Sequence, residues 1–174
     1  MFDIHPQNKN NHIYQHSTKP IQKKMKSILI ICFFLYLALV IYLTLFAWNY
    51  GASLGPVGPG GRNYNIIPFR SIYRIAVFSP TIMDPLKILV GNIVLFLPFG
   101  FLAPIVMKRL RKSIIATTMM GMLLSIFIET SQFLFTYRVS NIDDVILNTL
   151  GAFIGAILIK LCFWVKARIL IIKT

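Results

Sequence analysis

Ile28-Leu-Ile-Ile-Cys-Phe-Phe-Leu-Tyr-Leu-Ala-Leu-Val-Ile-Tyr-Leu-Thr-Leu-Phe-Ala47 runs without a single charge. A helix of that length rises about 30 Å, the thickness of a bilayer's hydrocarbon core. Ser27 to Trp48 is therefore read as a membrane span, with Tyr42, Trp48 and Tyr50 as an interfacial belt at its far end. A cleaved signal peptide has a shorter apolar core and small residues at its cleavage point, so this span is expected to stay attached. Working outward, Leu86 to Met107, Ser113 to Phe135 and Asp143 to Val165 are apolar runs of similar length. Each is long enough to cross.

Composition agrees with the spans. With 56% hydrophobic residues in 174, the chain has too little polar surface to cover a soluble fold. The net charge of +13 is carried in short clusters between the apolar runs rather than along one polar face, which argues against nucleic acid as a partner. The expected class is all-α: a polytopic bundle of four transmembrane helices occupying residues 27–166 as one domain, with a short interfacial helix in the first outward loop. Residues 1–26, polar and basic, are read as a disordered cytoplasmic tail, and 167–174 as a second basic tail.

Orientation follows from the basic clusters. Five lysines precede the first span, Lys108, Arg109, Arg111 and Lys112 separate the second from the third, and Lys160, Lys166, Arg168 and Lys173 close the chain. Even numbers of crossings separate these clusters, so the positive-inside rule puts both termini in the cytoplasm. The first outward segment opens with a Gly- and Pro-rich neck, Gly51 to Arg62, and turns apolar from Tyr64 to Phe78. A short helix after Pro68 is expected there, with Arg70 and Arg74 on one face. The neck lacks the Lys-Ser or Lys-Thr ending of a phosphate-binding loop. Cys32 and Cys162 have no metal-ligand spacing and read as packing residues, and neither metal nor cofactor is expected.

Polar groups inside spans are costly and persist only with partners or a task. Of the chain's five acidic residues, Asp84, Glu129, Asp143 and Asp144 fall in its outward half. Asn92, Glu129 and Asn148 each lie about six residues from the outer end of a span, roughly 9 Å deep at 1.5 Å per residue, so they can meet. Glu129 and Gln132 share a helix face, and Asp144, Asn148, Gly151 and Gly155 follow one stripe whose glycines admit a close neighbour. Pro98 loosens the second span near Asn92 to Phe96, opening a polar cleft outward. Arg138, Arg70 or Arg74 are the candidate counter-charges. Asp143 or Asp144 also fit capping boxes with Ser140 or Asn141 at the start of the fourth span, and Gly91, Gly100, Gly151 and Gly155 read as packing positions.

Asn65-Ile-Ile-Pro-Phe69, Gly91-Asn-Ile-Val-Leu-Phe-Leu-Pro-Phe-Gly100, Glu129-Thr-Ser-Gln132 and Arg138-Val-Ser-Asn-Ile-Asp-Asp-Val-Ile-Leu-Asn-Thr-Leu-Gly151, in that order, resemble the motif set of the VanZ-like membrane proteins. The resemblance covers about residues 28–165. It implies a bacterial cell-membrane protein, and a namesake that confers low-level resistance to the lipoglycopeptide teicoplanin without enzymes that remodel cell-wall precursors. It implies no particular reaction.

Two functions compete on these residues. The favoured one is non-enzymatic: an outward cleft formed by Arg70, Asn92, Glu129, Gln132, Arg138, Asp143, Asp144 and Asn148 binds an amphiphilic envelope component, a lipid-linked precursor or a lipoglycopeptide. The alternative is an intramembrane enzyme on a lipid-linked cell-wall or phospholipid substrate, with Glu129 as catalytic base, Asp143 or Asp144 as second carboxylate and arginines on a phosphate. No Ser/His or Cys/His pair accompanies those carboxylates, since all three histidines lie in the N-terminal tail. The partner is expected to be a membrane lipid or lipid-linked envelope component, and the sequence leaves the oligomeric state open.

Overall fold

The computed structural model describes residues 7–47, 64–136 and 138–172. The Gly/Pro neck, Trp48 and Tyr50 lie outside the described residues. The chain is an all-α membrane bundle. Helix α1 (Gln7–Ile41) ends in a π-turn at Tyr42–Phe46, α2 (Arg70–Phe78) is the short helix of the first loop, and α3 (Met83–Val106), α4 (Ile114–Phe135) and α5 (Ile142–Ile172) complete the order. Four segments are long and apolar enough to cross a membrane: Lys24–Phe46, Met83–Val106, Ile114–Phe135 and Ile142–Ile169.

Both ends depart from the sequence reading. Where a disordered tail was expected over residues 1–26, α1 already begins at Gln7, and α5 runs on to Ile172 through much of the expected 167–174 tail. Extending an existing helix adds one hydrogen bond per residue with no new nucleation, so a formed span lengthens easily into polar flanks.

Helices α3 and α5 form the centre of the bundle and run parallel. Glycine decides how closely they lie. A Cβ on Gly155 would come within 2.1 Å of the Leu97 carbonyl oxygen, one on Gly151 within 2.3 Å of that of Ile93, and one on Gly100 within 1.9 Å of that of Ala152. The two backbones thus touch directly, the packing that substitutes for the hydrophobic effect within a bilayer. Gly91, expected to pack like the others, faces open space instead. A cluster of Phe33, Phe99, Ala103, Leu110 and Ala152 fills one part of the bundle, and Val40, Phe96 and Ile128 form the adjoining layer, joined to it through the Phe96–Phe99 ring contact.

α3 continues through Pro98 and Pro104 without a break. Proline at position 98 cannot donate to the preceding turn, and there the Tyr36 hydroxyl donates to the Leu95 carbonyl at 2.7 Å, tying α1 to the loosened turn.

The first loop is pinned across the mouth of the bundle. Tyr64 and Asn65 pair in parallel with Ser140 and Asn141 as a two-residue ribbon, β1 with β2. Two residues per strand are too few to show a periodic pattern, and nothing in the sequence reading anticipated them. The α2 helix has no buried residue and exposes Tyr73, Val77 and Phe78 together with Arg70 and Arg74. That composition suits a helix lying in the headgroup layer.

Candidate functional site

Asn141 organises the polar end of the bundle. As the residue before α5, it accepts from the Asp143 amide at 3.2 Å, an N-cap. The same Oδ1 accepts from Asn65 Nδ2 at 3.0 Å and the Ser71 hydroxyl at 3.2 Å, so the cap of α5 also fastens the first loop. Its backbone N–H donates to Glu129 Oε2 at 2.6 Å and its Nδ2 to Asp144 Oδ1 at 3.2 Å. Two carboxyl groups from different helices are thereby held on either side of one asparagine.

The adjacent acids part company. Asp143 is 1% exposed, and its carboxyl accepts from the backbone N–H groups of Phe69, Ser71 (2.8 Å) and Ile72 (3.3 Å). It caps α2, a helix some seventy residues away in the chain, rather than its own α5, which corrects the capping-box reading. Phe69 adopts φ 63°, a left-handed conformation rare for a bulky residue. That conformation points successive N–H groups into one concavity, and the Asp143 carboxylate fills it. Asp144, one position on and turned about 100° around the helix, accepts instead from Asn92 Nδ2 at 3.0 Å.

Arg138 is occupied by the end of α1. Its guanidinium donates to the carbonyls of Leu43 (3.0 Å), Thr44 and Ala47 (3.5 Å), the groups that the π-turn leaves without helical partners. Gln132 Nε2 donates to the same Thr44 carbonyl at 2.9 Å. Thr44 was absent from the sequence reading because its role is played by a backbone oxygen.

Between these groups lies a cleft of about 50 Å³. Asn92, Glu129, Gln132, Arg138, Asp144 and Asn148 all line it, so six of the eight residues singled out from sequence converge. Arg70 and Asp143 are not among its lining: Arg70 is exposed on α2, and Asp143 is buried beneath that helix. A water needs at least about 10–15 Å³, so the cleft has room for a few waters or one small polar head. Asn148 is 3% exposed and donates through Nδ2 to the Ser125 hydroxyl at 2.9 Å. Its Oδ1 is buried without a hydrogen-bond partner. A buried carbonyl left unmet costs roughly 1–3 kcal/mol, and such a group in a polar cleft marks a place for a donor. Ser125 was also missed, a single serine in an apolar run carrying no signal of its own.

Comparison with known proteins gives a family. A model described as VanZ/LLP1 matches residues 33–163, three quarters of the chain. Protein VanZ of Enterococcus faecium is 30% identical over 121 residues, which covers 70% of this chain and 66% of that relative, just under two thirds of its length. No solved structure matches.

Proposed function

This chain belongs to the VanZ/LLP1 family, and from that premise we propose that it is a non-enzymatic protein of the bacterial cell membrane. It holds the polar head of an amphiphilic envelope component in its outward cleft and so contributes to tolerance of teicoplanin-type glycopeptides. The basic flanks support an orientation with both termini in the cytoplasm and the cleft at the outer face. The observation that carries the reading is the buried, unmet Asn148 Oδ1 in a polar cleft. At about 50 Å³ the cleft suits a headgroup, with the acyl chains left in the bilayer, and is far too small to enclose a lipoglycopeptide. Protection then comes through the envelope component, the antibiotic's own surroundings, rather than by sequestering the drug.

The test is glycopeptide susceptibility in a sensitive bacterium expressing the wild-type chain, Asn148→Ala or Glu129→Gln, with membrane abundance measured in the same cells. The expected result is that both variants reach wild-type abundance and lose most of the protection. If protection falls only in proportion to abundance, the cluster merely holds the helices together and the binding reading fails.

A further inference from the structure

The hydrogen-bond directions in the cleft select the chemistry of its occupant. Its donors are engaged by the protein: Arg138 bonds three carbonyls at the end of α1 while its charge faces Glu129 and Asp144, Gln132 Nε2 bonds the Thr44 carbonyl, and Asn92 Nδ2 bonds Asp144. What the lining offers inward is acceptors. Asn148 Oδ1 has no partner. The Glu129 carboxyl accepts from the Asn141 N–H and the Ser140 side chain, and that of Asp144 from Asn92 and Asn141, whereas a carboxylate has about four lone-pair sites.

Resting on the reading of this cleft as a binding site, we propose that it takes the primary ammonium head of a membrane lipid, whose three N–H groups reach Glu129, Asp144 and Asn148. An ammonium has three donors and no acceptor, which matches three acceptors with no free donor among them. A phosphate, the occupant expected by a reading that puts arginines on the ligand, would bring acceptors against acceptors and a negative charge against two carboxyls. A sugar hydroxyl would need donors for its own oxygens. A quaternary ammonium has no N–H and is held by aromatic cages, and none of the residues lining this cleft is aromatic.

The intact protein, purified in detergent, is titrated with short-chain phosphatidylethanolamine, phosphatidylcholine, phosphatidylglycerol and lysyl-phosphatidylglycerol of equal tail length, and its melting is followed. A lipid that binds only the folded state raises the midpoint with concentration. The expected result is that phosphatidylethanolamine or lysyl-phosphatidylglycerol binds roughly tenfold or more tightly than phosphatidylcholine, the worth of one charge-assisted hydrogen bond. Whichever of the two amines binds more tightly identifies the source of the ammonium. Asp144→Asn, which keeps the side chain's shape and its Oδ1 acceptor, and Asn148→Ala should each erase that preference. Equal binding of the ethanolamine and choline lipids that still depends on Asn148 overturns the ammonium and leaves the cleft as a lipid site. Tighter binding of phosphatidylglycerol than of either amine overturns it in favour of an anion. Stabilisation by all four lipids that neither variant changes overturns both this proposal and the binding reading beneath it.

Discussion

Gly155→Ala is expected to lower the amount of folded protein in the membrane severalfold, while Gly91→Ala leaves it unchanged or slightly raised. The two substitutions add the same methyl group to helices of the same bundle. At position 155 that methyl meets the Leu97 carbonyl oxygen at 2.1 Å and the Phe101 amide nitrogen at 2.8 Å, so α3 and α5 must move apart by about 1 Å to admit it. Neither neighbour is the end of a flexible side chain. Overpacking a core costs about 1–3 kcal/mol when side chains can give way and more when they cannot, and separating two touching backbones forfeits contacts along the whole interface. At position 91 nothing lies within 4 Å, and alanine is the better helix former. Detergent-solubilised melting with quantified membrane expression checks both. Equal losses at 91 and 155 would mean that the α3–α5 contact is not what holds the bundle.

Asp143→Ala is expected to free the first loop without dissolving the four spans. The lost carboxylate caps three backbone N–H groups at the start of α2, including that of Phe69 in its unfavourable left-handed conformation. An N-cap is worth about 0.5–2 kcal/mol, and the bonded partner here is charged and buried. A loss of about 2 kcal/mol raises the open population of the loop roughly 30-fold. Arg70 and Arg74 provide trypsin sites within the segment, so protease added outside spheroplasts reads that population directly. Cleavage after Arg70 or Arg74 should accelerate about 30-fold in Asp143→Ala and less in Asp143→Asn, which keeps one of the two acceptor oxygens. Melting of the bundle should change little. An unchanged cleavage rate would show that Asp143 does not anchor α2, and cleavage only from the cytoplasmic side would reverse the proposed orientation.

The four spans were legible because each is an apolar run whose length matches the bilayer, and the meeting of Asn92, Glu129 and Asn148 was legible because helical rise is constant. Depth is therefore readable from residue counting. Direction is not. Asp143 and Asp144 are neighbours in sequence with the same chemistry, yet a turn of about 100° sends one under α2 and the other into the cleft. No periodicity shows which, since the partners of Asp143 are backbone amides at Phe69, Ser71 and Ile72. The Thr44 carbonyl, on which Arg138 and Gln132 converge, is likewise a backbone group exposed by a local change of helix type. For that reason the end of α1 was not foreseen as a partner of Arg138, whose guanidinium holds those carbonyls while its charge also faces Glu129 and Asp144. Asn141 had a readable signal, its place just before the fourth span, but capping accounts for only one of its five bonds described above.

These details narrow what the cleft can do. With Arg138 and Gln132 holding α1, Asp143 holding α2, and Asn92 holding Asp144, the groups left to meet a ligand are Glu129, Asp144 and Asn148.

The most direct measurement of that claim is an experimental structure of the protein in a native-lipid nanodisc, at a resolution that shows headgroups and amide orientation. The expected result is density outside the protein in the cleft, within hydrogen-bond distance of Asn148 Oδ1 and between the carboxyls of Glu129 and Asp144, continuous with an acyl chain in the bilayer. A cleft closed over a lone water, or Asn148 turned so that Nδ2 faces the carboxyls, would contradict it.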